Sequence, residues 1–149
     1  MIKKRFISML VLLCLTVSGA WAQNPSWVRS YDTWDEATKT LTVNDDPDEN
    51  DYAGNEEIEH VIIANTNRVT TIGEAAFKNC SNLTSVSIPS SVTNIGTSAF
   101  ESTKLTSVSI PSSVTTISEA TFKNCSNLTS VSIPNTVTTI GERAFANCI

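Results

Sequence analysis

Histidine is almost absent from this chain and basic residues are scarce. Of 149 residues one is His and 10 are Lys or Arg, against 15 Asp or Glu, for a net charge of −5. No basic patch follows residue 5, which argues against nucleic acid as a partner, because that affinity rests on clustered Lys and Arg. The lone His60 and four scattered Cys give no zinc-ligand spacing, and neither glycine-rich phosphate loop pattern occurs. No cofactor is expected. Long apolar runs are also missing: the stretch 7–17 falls short of the roughly 20 residues that cross a bilayer.

What is present begins with an address. Lys3, Lys4 and Arg5, the apolar stretch 7–17 and Ala20-Trp21-Ala22 have the layout of a secretory signal peptide, residues 1–22, with cleavage after Ala22 and a mature start at Gln23. Cys14 follows Leu13 rather than a small residue, so lipid attachment is not expected. Cleavage removes three positive charges and leaves an acidic protein that is secreted or displayed at the cell surface.

The mature chain repeats itself. Leu83-Thr84-Ser85-Val86-Ser87-Ile88-Pro89-Ser90-Ser91-Val92 recurs from Leu105 to Val114 and again from Leu128 to Val137, at offsets of 22 and 23 residues. Each copy runs on to Ala-Phe or its equivalent, so that Phe77, Phe100, Phe122 and Phe145 are spaced 23, 22 and 23. A looser copy runs from Ile58 to Phe77, which makes four coils.

Alternation of Val and Ile with Ser marks a strand with one buried face. Val86, Val108 and Val131 point inward, as do Ile88, Ile110 and Ile133. Pro89, Pro111 and Pro134 end the strands, since Pro has no N–H to donate. A second apolar pair such as Val92 and Ile95 turns inward on the far side, where Gly73, Gly96 and Gly141 are expected to permit a bend and Ser118 replaces them in the third coil. Ala99-Phe100 and its equivalents read as a short helical turn. One coil buries too little to offset its chain entropy, so the coils must stack.

The pattern Leu-x-x-Val-x-Ile-Pro-x-x-Val-x-x-Ile-Gly-x-x-Ala-Phe-x-x-Cys, over residues 58–149, resembles the BspA-like leucine-rich repeat of secreted and surface proteins from anaerobic bacteria and some protozoa. The resemblance implies a repeat solenoid, a right-handed coil of short parallel strands with irregular or short helical far sides. It also implies a curved surface that binds host or microbial proteins, adhesion being the commonest assignment. Residues 23–57 differ in character, with 11 of the 15 acidic residues lying between Asp32 and Glu59. Residues 31–34 and 40–43 read as a β-hairpin, similar to the Trp-containing hairpin that precedes such repeats in the family, and so as an N-terminal cap. Trp27 and Trp34 suit either packing within that cap or a sugar-binding platform.

Asp46, Asp48, Asn50 and Glu57 fall at positions 1, 3, 5 and 12 of a calcium loop, but Asp51 occupies the glycine position and Pro47 interrupts the curl. A solvated acidic loop is the other reading. Cys80, Cys125 and Cys148 share one column with Thr103. Cys80 and Cys125 are two coils apart and beyond disulfide reach, which leaves Cys125–Cys148 as the pair able to bridge, against a ladder of buried thiols.

Catalysis finds little support: Ser98 lacks the second glycine of a nucleophile elbow and sits in a column that varies to Ala and Arg. If the chain binds a ligand, the outward strand residues are the platform: His60, Ser85, Ser107 and Ser130 in one row, and Ile62, Ser87, Ser109 and Ser132 in the other. The expected partner is an extracellular protein or glycan, through a non-catalytic adhesin-like contact. The alternative is a structural spacer, or a fragment of a longer array, with no ligand of its own. The sequence stops where earlier copies continue into a new strand, so an open end and end-to-end self-association are also expected.

Overall fold

The computed structural model describes residues 25–148; the expected signal peptide lies outside the described residues. Ten short strands follow one another: β1 (Thr33–Asp35), β2 (Thr40–Val43), β3 (His60–Ile63), β4 (Thr71–Ile72), β5 (Ser85–Ser87), β6 (Asn94–Ile95), β7 (Ser107–Ser109), β8 (Thr116–Ile117), β9 (Ser130–Ser132) and β10 (Thr139–Ile140). β1 and β2 form the antiparallel hairpin, and β2, β3 and β5 continue from it in parallel. β7 pairs β9 on the same side of the stack, while β4 pairs β6 and β8 pairs β10 on the other. The chain is thus a parallel-strand solenoid of four coils, numbered here from Ile58, Leu83, Leu105 and Leu128.

Burial follows the columns. Ile58, Leu83, Leu105 and Leu128 are buried, as are Val61, Ile63, Val108 and Ile110 from the strands and Val69, Val92 and Val114 beyond the Pro turns. Phe77, Phe100 and Phe122 are fully enclosed and Phe145 partly so. Their rings stack face over face at centroid separations of 5.4–5.6 Å. Like residues in successive coils therefore supply one another's apolar surroundings, which is how coils too small to fold alone share one core. Ile133 and Ile140 in coil 4 are 42% and 55% exposed, whereas Ile110 and Ile117 in the same columns of coil 3 are buried.

Three features differ from the sequence reading. The far side contains no helix among the described residues: β4, β6, β8 and β10 build a second ladder there, and the Ala-Phe segment is a run of turns. A helix is blocked because each turn holds two residues at positive φ, at Ala75 and Asn79, Ser98 and Ser102, Ala120 and Asn124, and Arg143 and Asn147. The Asn residues at 79, 124 and 147 carry that signal in the sequence, since Asn tolerates this region.

The glycine column serves close approach rather than bending. A Cβ on Gly96 would lie 2.6 Å from Glu74 N and 2.7 Å from Gly73 C, main-chain atoms of the preceding coil. Gly96→Ala is expected to cost about 3 kcal/mol, the upper end for overpacking, because backbone cannot rotate aside as a side chain can. The midpoint of urea unfolding checks this, and an unchanged midpoint would refute it.

The third difference lies in the cap, whose residues 40–57 take the path of a coil although their composition sets them apart. Asn50 N donates to Glu74 O, Tyr52 N to Ala76 O and Gly54 N to Lys78 O, repeating the bonds from Ala75 N to Thr97 O, Phe77 N to Ala99 O and Asn79 N to Glu101 O one coil later. Tyr52 extends the aromatic stack, 5.5 Å from Phe77.

Candidate ligand-binding face

The strands place two outward rows side by side. Pairing aligns Thr40 with His60 and His60 with Ser85, and Thr42 with Ile62 and Ile62 with Ser87. Farther along, Ser107 aligns with Ser130 and Ser109 with Ser132. Paired strands lie about 4.8 Å apart, and alternate residues on one strand are separated by about 7 Å. All six Ser side chains face solvent. His60 Nδ1 and Ser85 Oγ are hydrogen bonded at 2.7 Å, and Ile62 is 45% exposed.

The sequence rows begin at His60, but the structure carries them onward to Thr40 and Thr42 and then, across the hairpin, to Asp35 and Thr33. The signal for this extension was the alternation Thr40-Leu41-Thr42-Val43. Leu41 and Val43 are fully buried, so the two Thr must face outward. The face is neutral and hydroxyl-rich, with Ile62 as its apolar point and Asp35 at its rim. It offers hydrogen bonding in a fixed spacing, and its one contact of nucleophile–base type among the described residues is the exposed His60–Ser85 hydrogen bond.

Ser98 and His60, the two residues with catalytic chemistry to consider, are on different sides of the coil. Ser98 stands in the turn side at positive φ and hydrogen bonds Glu101. The column that varies to Ala and Arg is held together by backbone conformation: Ala75, Ser98, Ala120 and Arg143 share φ of 52–57°.

The calcium candidates do not converge. Asp46 Oδ1 accepts from Thr70 N at 2.6 Å and Thr71 N at 2.8 Å, capping the start of β4. Asp48 N donates to Asp51 Oδ2, Asn50 N reaches Glu74 O, and Glu57 N donates to Asn55 Oδ1. Among the described residues no group of three or more His, Cys, Asp or Glu could hold a metal ion.

The three cysteines among the described residues are free, Cys80 and Cys125 buried and Cys148 partly so. Each thiol reaches an aromatic residue's carbonyl in the preceding coil, Cys80 to Tyr52 O at 3.1 Å, Cys125 to Phe100 O at 3.2 Å and Cys148 to Phe122 O at 3.2 Å. Burial pushes the Cys80 thiol up to about 12 and raises Cys125 as well, so neither is a reactive thiolate. Trp27 and Trp34 meet edge to face at 4.9 Å and pack on the core. That is the packing role and not a flat sugar platform.

On the turn side Glu101 lies between Lys78 Nζ at 3.0 Å and Lys123 Nζ at 3.1 Å. Burial alone would raise its carboxyl, but Lys78, Lys123 and Ser98 outweigh that and hold it down at about 2. A carboxyl depressed in the folded state stabilises it fully above the unfolded value of about 4.3, and that stability disappears as pH falls through the folded value. Glu101→Gln is therefore expected to unfold at lower urea than the natural chain at neutral pH, with the gap closing toward about pH 2. A gap independent of pH would contradict this.

The chain's repeats match the family model of the BspA type leucine rich repeat region (6 copies) over residues 48–149, a match that begins inside the cap where the coil path has already started. Among solved structures the chain is similar to a leucine-rich repeat protein from Bacteroides ovatus ATCC 8483, 28% identical with a TM-score of 0.59 over 74% of this chain and 35% of that one. It is also similar to a leucine-rich repeat protein from Eubacterium ventriosum ATCC 27560, 26% identical with a TM-score of 0.56 over 76% of this chain and 38% of that one. The chain thus spans little more than a third of either protein's length. No curated protein matches it. With four stacked coils, a shared aromatic column and a family match over more than half its length, the chain belongs to the BspA-type leucine-rich repeat family.

Proposed function

We propose that this chain is a non-catalytic binding module that acts outside the cell or at its surface and recognises an extracellular protein through its strand face. The observation that carries the reading is the face itself. Two solvent-facing rows run from the cap across the coils, and their side chains contribute little to holding the fold, since the core is built from the inward columns. Leucine-rich repeat proteins are typically protein-binding, and the signal-like residues 1–22 support export. Ser is not a residue that dominates binding energy. Affinity is therefore expected to be modest, about micromolar, and spread over several coils.

The test is binding of the purified chain, from Gln23, to immobilised extracellular-matrix proteins and glycans, with its mass checked by light scattering. Saturable protein binding that disappears when Ser85, Ser107 and Ser130 are changed together to Arg supports the reading. Binding by a glycan alone would redirect it. A folded monomer that binds nothing would instead favour the spacer.

A further inference from the structure

Both ladders of the solenoid stop at the same plane. β3 pairs β5 and β7 pairs β9, but β5 and β7 form no ladder; β4 pairs β6 and β8 pairs β10, but β6 and β8 form none. Two sequence departures meet here. Coil 2 is one residue short between Phe100 and Leu105, compared with Phe77 to Leu83 and Phe122 to Leu128. Ser118 also places a Cβ in the column where Gly73, Gly96 and Gly141 let backbones approach. Each of those glycines donates its N–H at 2.8 Å to the preceding turn, to Pro47 O, Ile72 O and Ile117 O. At the interruption, the Ser118 hydroxyl takes the corresponding carbonyl, Ile95 O.

Packing reports the same break. Val86 and Ile88 belong to an internal coil yet are only partly buried, whereas their equivalents Val61, Ile63, Val108 and Ile110 are buried. On the strand side the plane is crossed by Thr106 N donating to Thr84 O at 3.3 Å, longer than the equivalent bonds of Thr84 N to Glu59 O at 2.9 Å and Thr129 N to Thr106 O at 3.0 Å, and beyond the Pro turn by the Ser113 hydroxyl donating to Val92 O. The turn side, by contrast, is continuous. Ser98 N, Phe100 N and Ser102 N donate to Glu119 O, Thr121 O and Lys123 O at 3.0, 2.9 and 2.8 Å. Phe100 and Phe122 remain stacked at 5.6 Å, and Glu101 pairs with Lys123 across the plane.

We infer that the plane between coils 2 and 3 is a built-in hinge: the solenoid opens there on its strand side, between β5 and β7, while the aromatic stack and turn bonds hold the other side closed. In a stack where stability is a sum over neighbouring interfaces, the interface missing both ladders opens first. The strand face is then two panels, β1-β2-β3-β5 and β7-β9, that rock against each other. This does not depend on what the face binds.

Residue-resolved amide hydrogen exchange on the whole chain tests it. The strand-side amide Thr106 N, on Thr84 O, is expected to exchange at least about tenfold faster through local opening than its equivalent between coils 1 and 2, Thr84 N on Glu59 O, while Ser98 N, Phe100 N and Ser102 N stay protected. A variant closes the seam: one Ser inserted between Thr103 and Lys104, combined with Ser118→Gly. It is expected to slow the seam amides by about tenfold and leave those between β3 and β5 unchanged. Equal protection at the two interfaces of the natural chain would overturn the hinge, whether or not the variant folds.

Discussion

Phe100→Ala is expected to cost about 3–5 kcal/mol, the range for emptying a buried aromatic site. That is a large part of the 5–15 kcal/mol a domain ordinarily has to spare. Phe100 has no exposed surface and is sandwiched between Phe77 at 5.5 Å and Phe122 at 5.6 Å, within 6° of parallel. Its removal leaves two rings each facing a void. The neighbouring coils cannot close onto it, because their spacing is set by backbone hydrogen bonds on both sides of the ring. Among the described residues Phe145 makes the same kind of contact on one face, and it is partly exposed, so Phe145→Ala is expected to cost about half as much. Urea unfolding of the two variants checks the order. Equal costs would mean that the stack contributes area and no continuity.

Arg29→Met is expected to be of comparable size, about 3–5 kcal/mol, because it withdraws the cation from a buried pair. Arg29 Nε donates to Asp32 Oδ2 at 2.7 Å, Nη1 to Asp51 Oδ2 at 2.8 Å and to Asp46 O at 2.7 Å, and Nη2 to Asp45 O at 2.8 Å. Asp32 has no exposed side-chain surface; it also accepts the Tyr52 hydroxyl and Asn44 N. Burial works against the Arg29 charge, but Asp32 and Tyr52 more than compensate and raise its pKa. Burial and the Asp32 carboxylate together raise that of Tyr52. One guanidinium thus ties the hairpin to the acidic segment and to the ring that starts the aromatic stack. If the charge is the cause, adding Asp32→Asn to Arg29→Met should recover part of the loss, giving a coupling that a double-mutant cycle measures. A loss below about 1 kcal/mol for Arg29→Met, the scale of an exposed pair, would contradict the role.

These two sites mark the boundary of what the sequence discloses. The Phe column, the Val and Ile alternation and the Pro strand ends are legible because the chain states them repeatedly, and one noisy copy is corrected by the others. Tyr52 is stated once, among acidic residues and at an offset of 25 from Phe77, so nothing in composition joins it to the stack. The acidic segment reads as solvated or metal-binding for a similar reason. Whether the segment faces water or the Arg29 guanidinium depends on contacts made 16 to 23 residues away.

The glycine column reads as a bend for the same reason. Its recurrence is visible, but the 2.6 Å approach that requires it is a property of two coils together. The outward rows were legible in coils 1 to 4 because period-2 alternation assigns faces directly. Their extension through Thr40 and Thr42 depended on β2 joining the same sheet in parallel, a pairing that a hairpin strand need not make. The shortened repeat at Phe100 to Leu105 was visible as an offset of 22; that it interrupts both ladders was not.

The central claim is that the strand face binds a protein, and the most direct measurement is the dissociation constant of a captured partner for three forms of the chain. The natural chain and Glu119→Lys, an exposed turn-side change, are expected to agree within about twofold, while the triple Arg variant at Ser85, Ser107 and Ser130 loses at least about tenfold, as for bulky charges placed inside an interface. Loss of affinity in Glu119→Lys with the Arg row silent would place the binding surface on the turn side and contradict the claim.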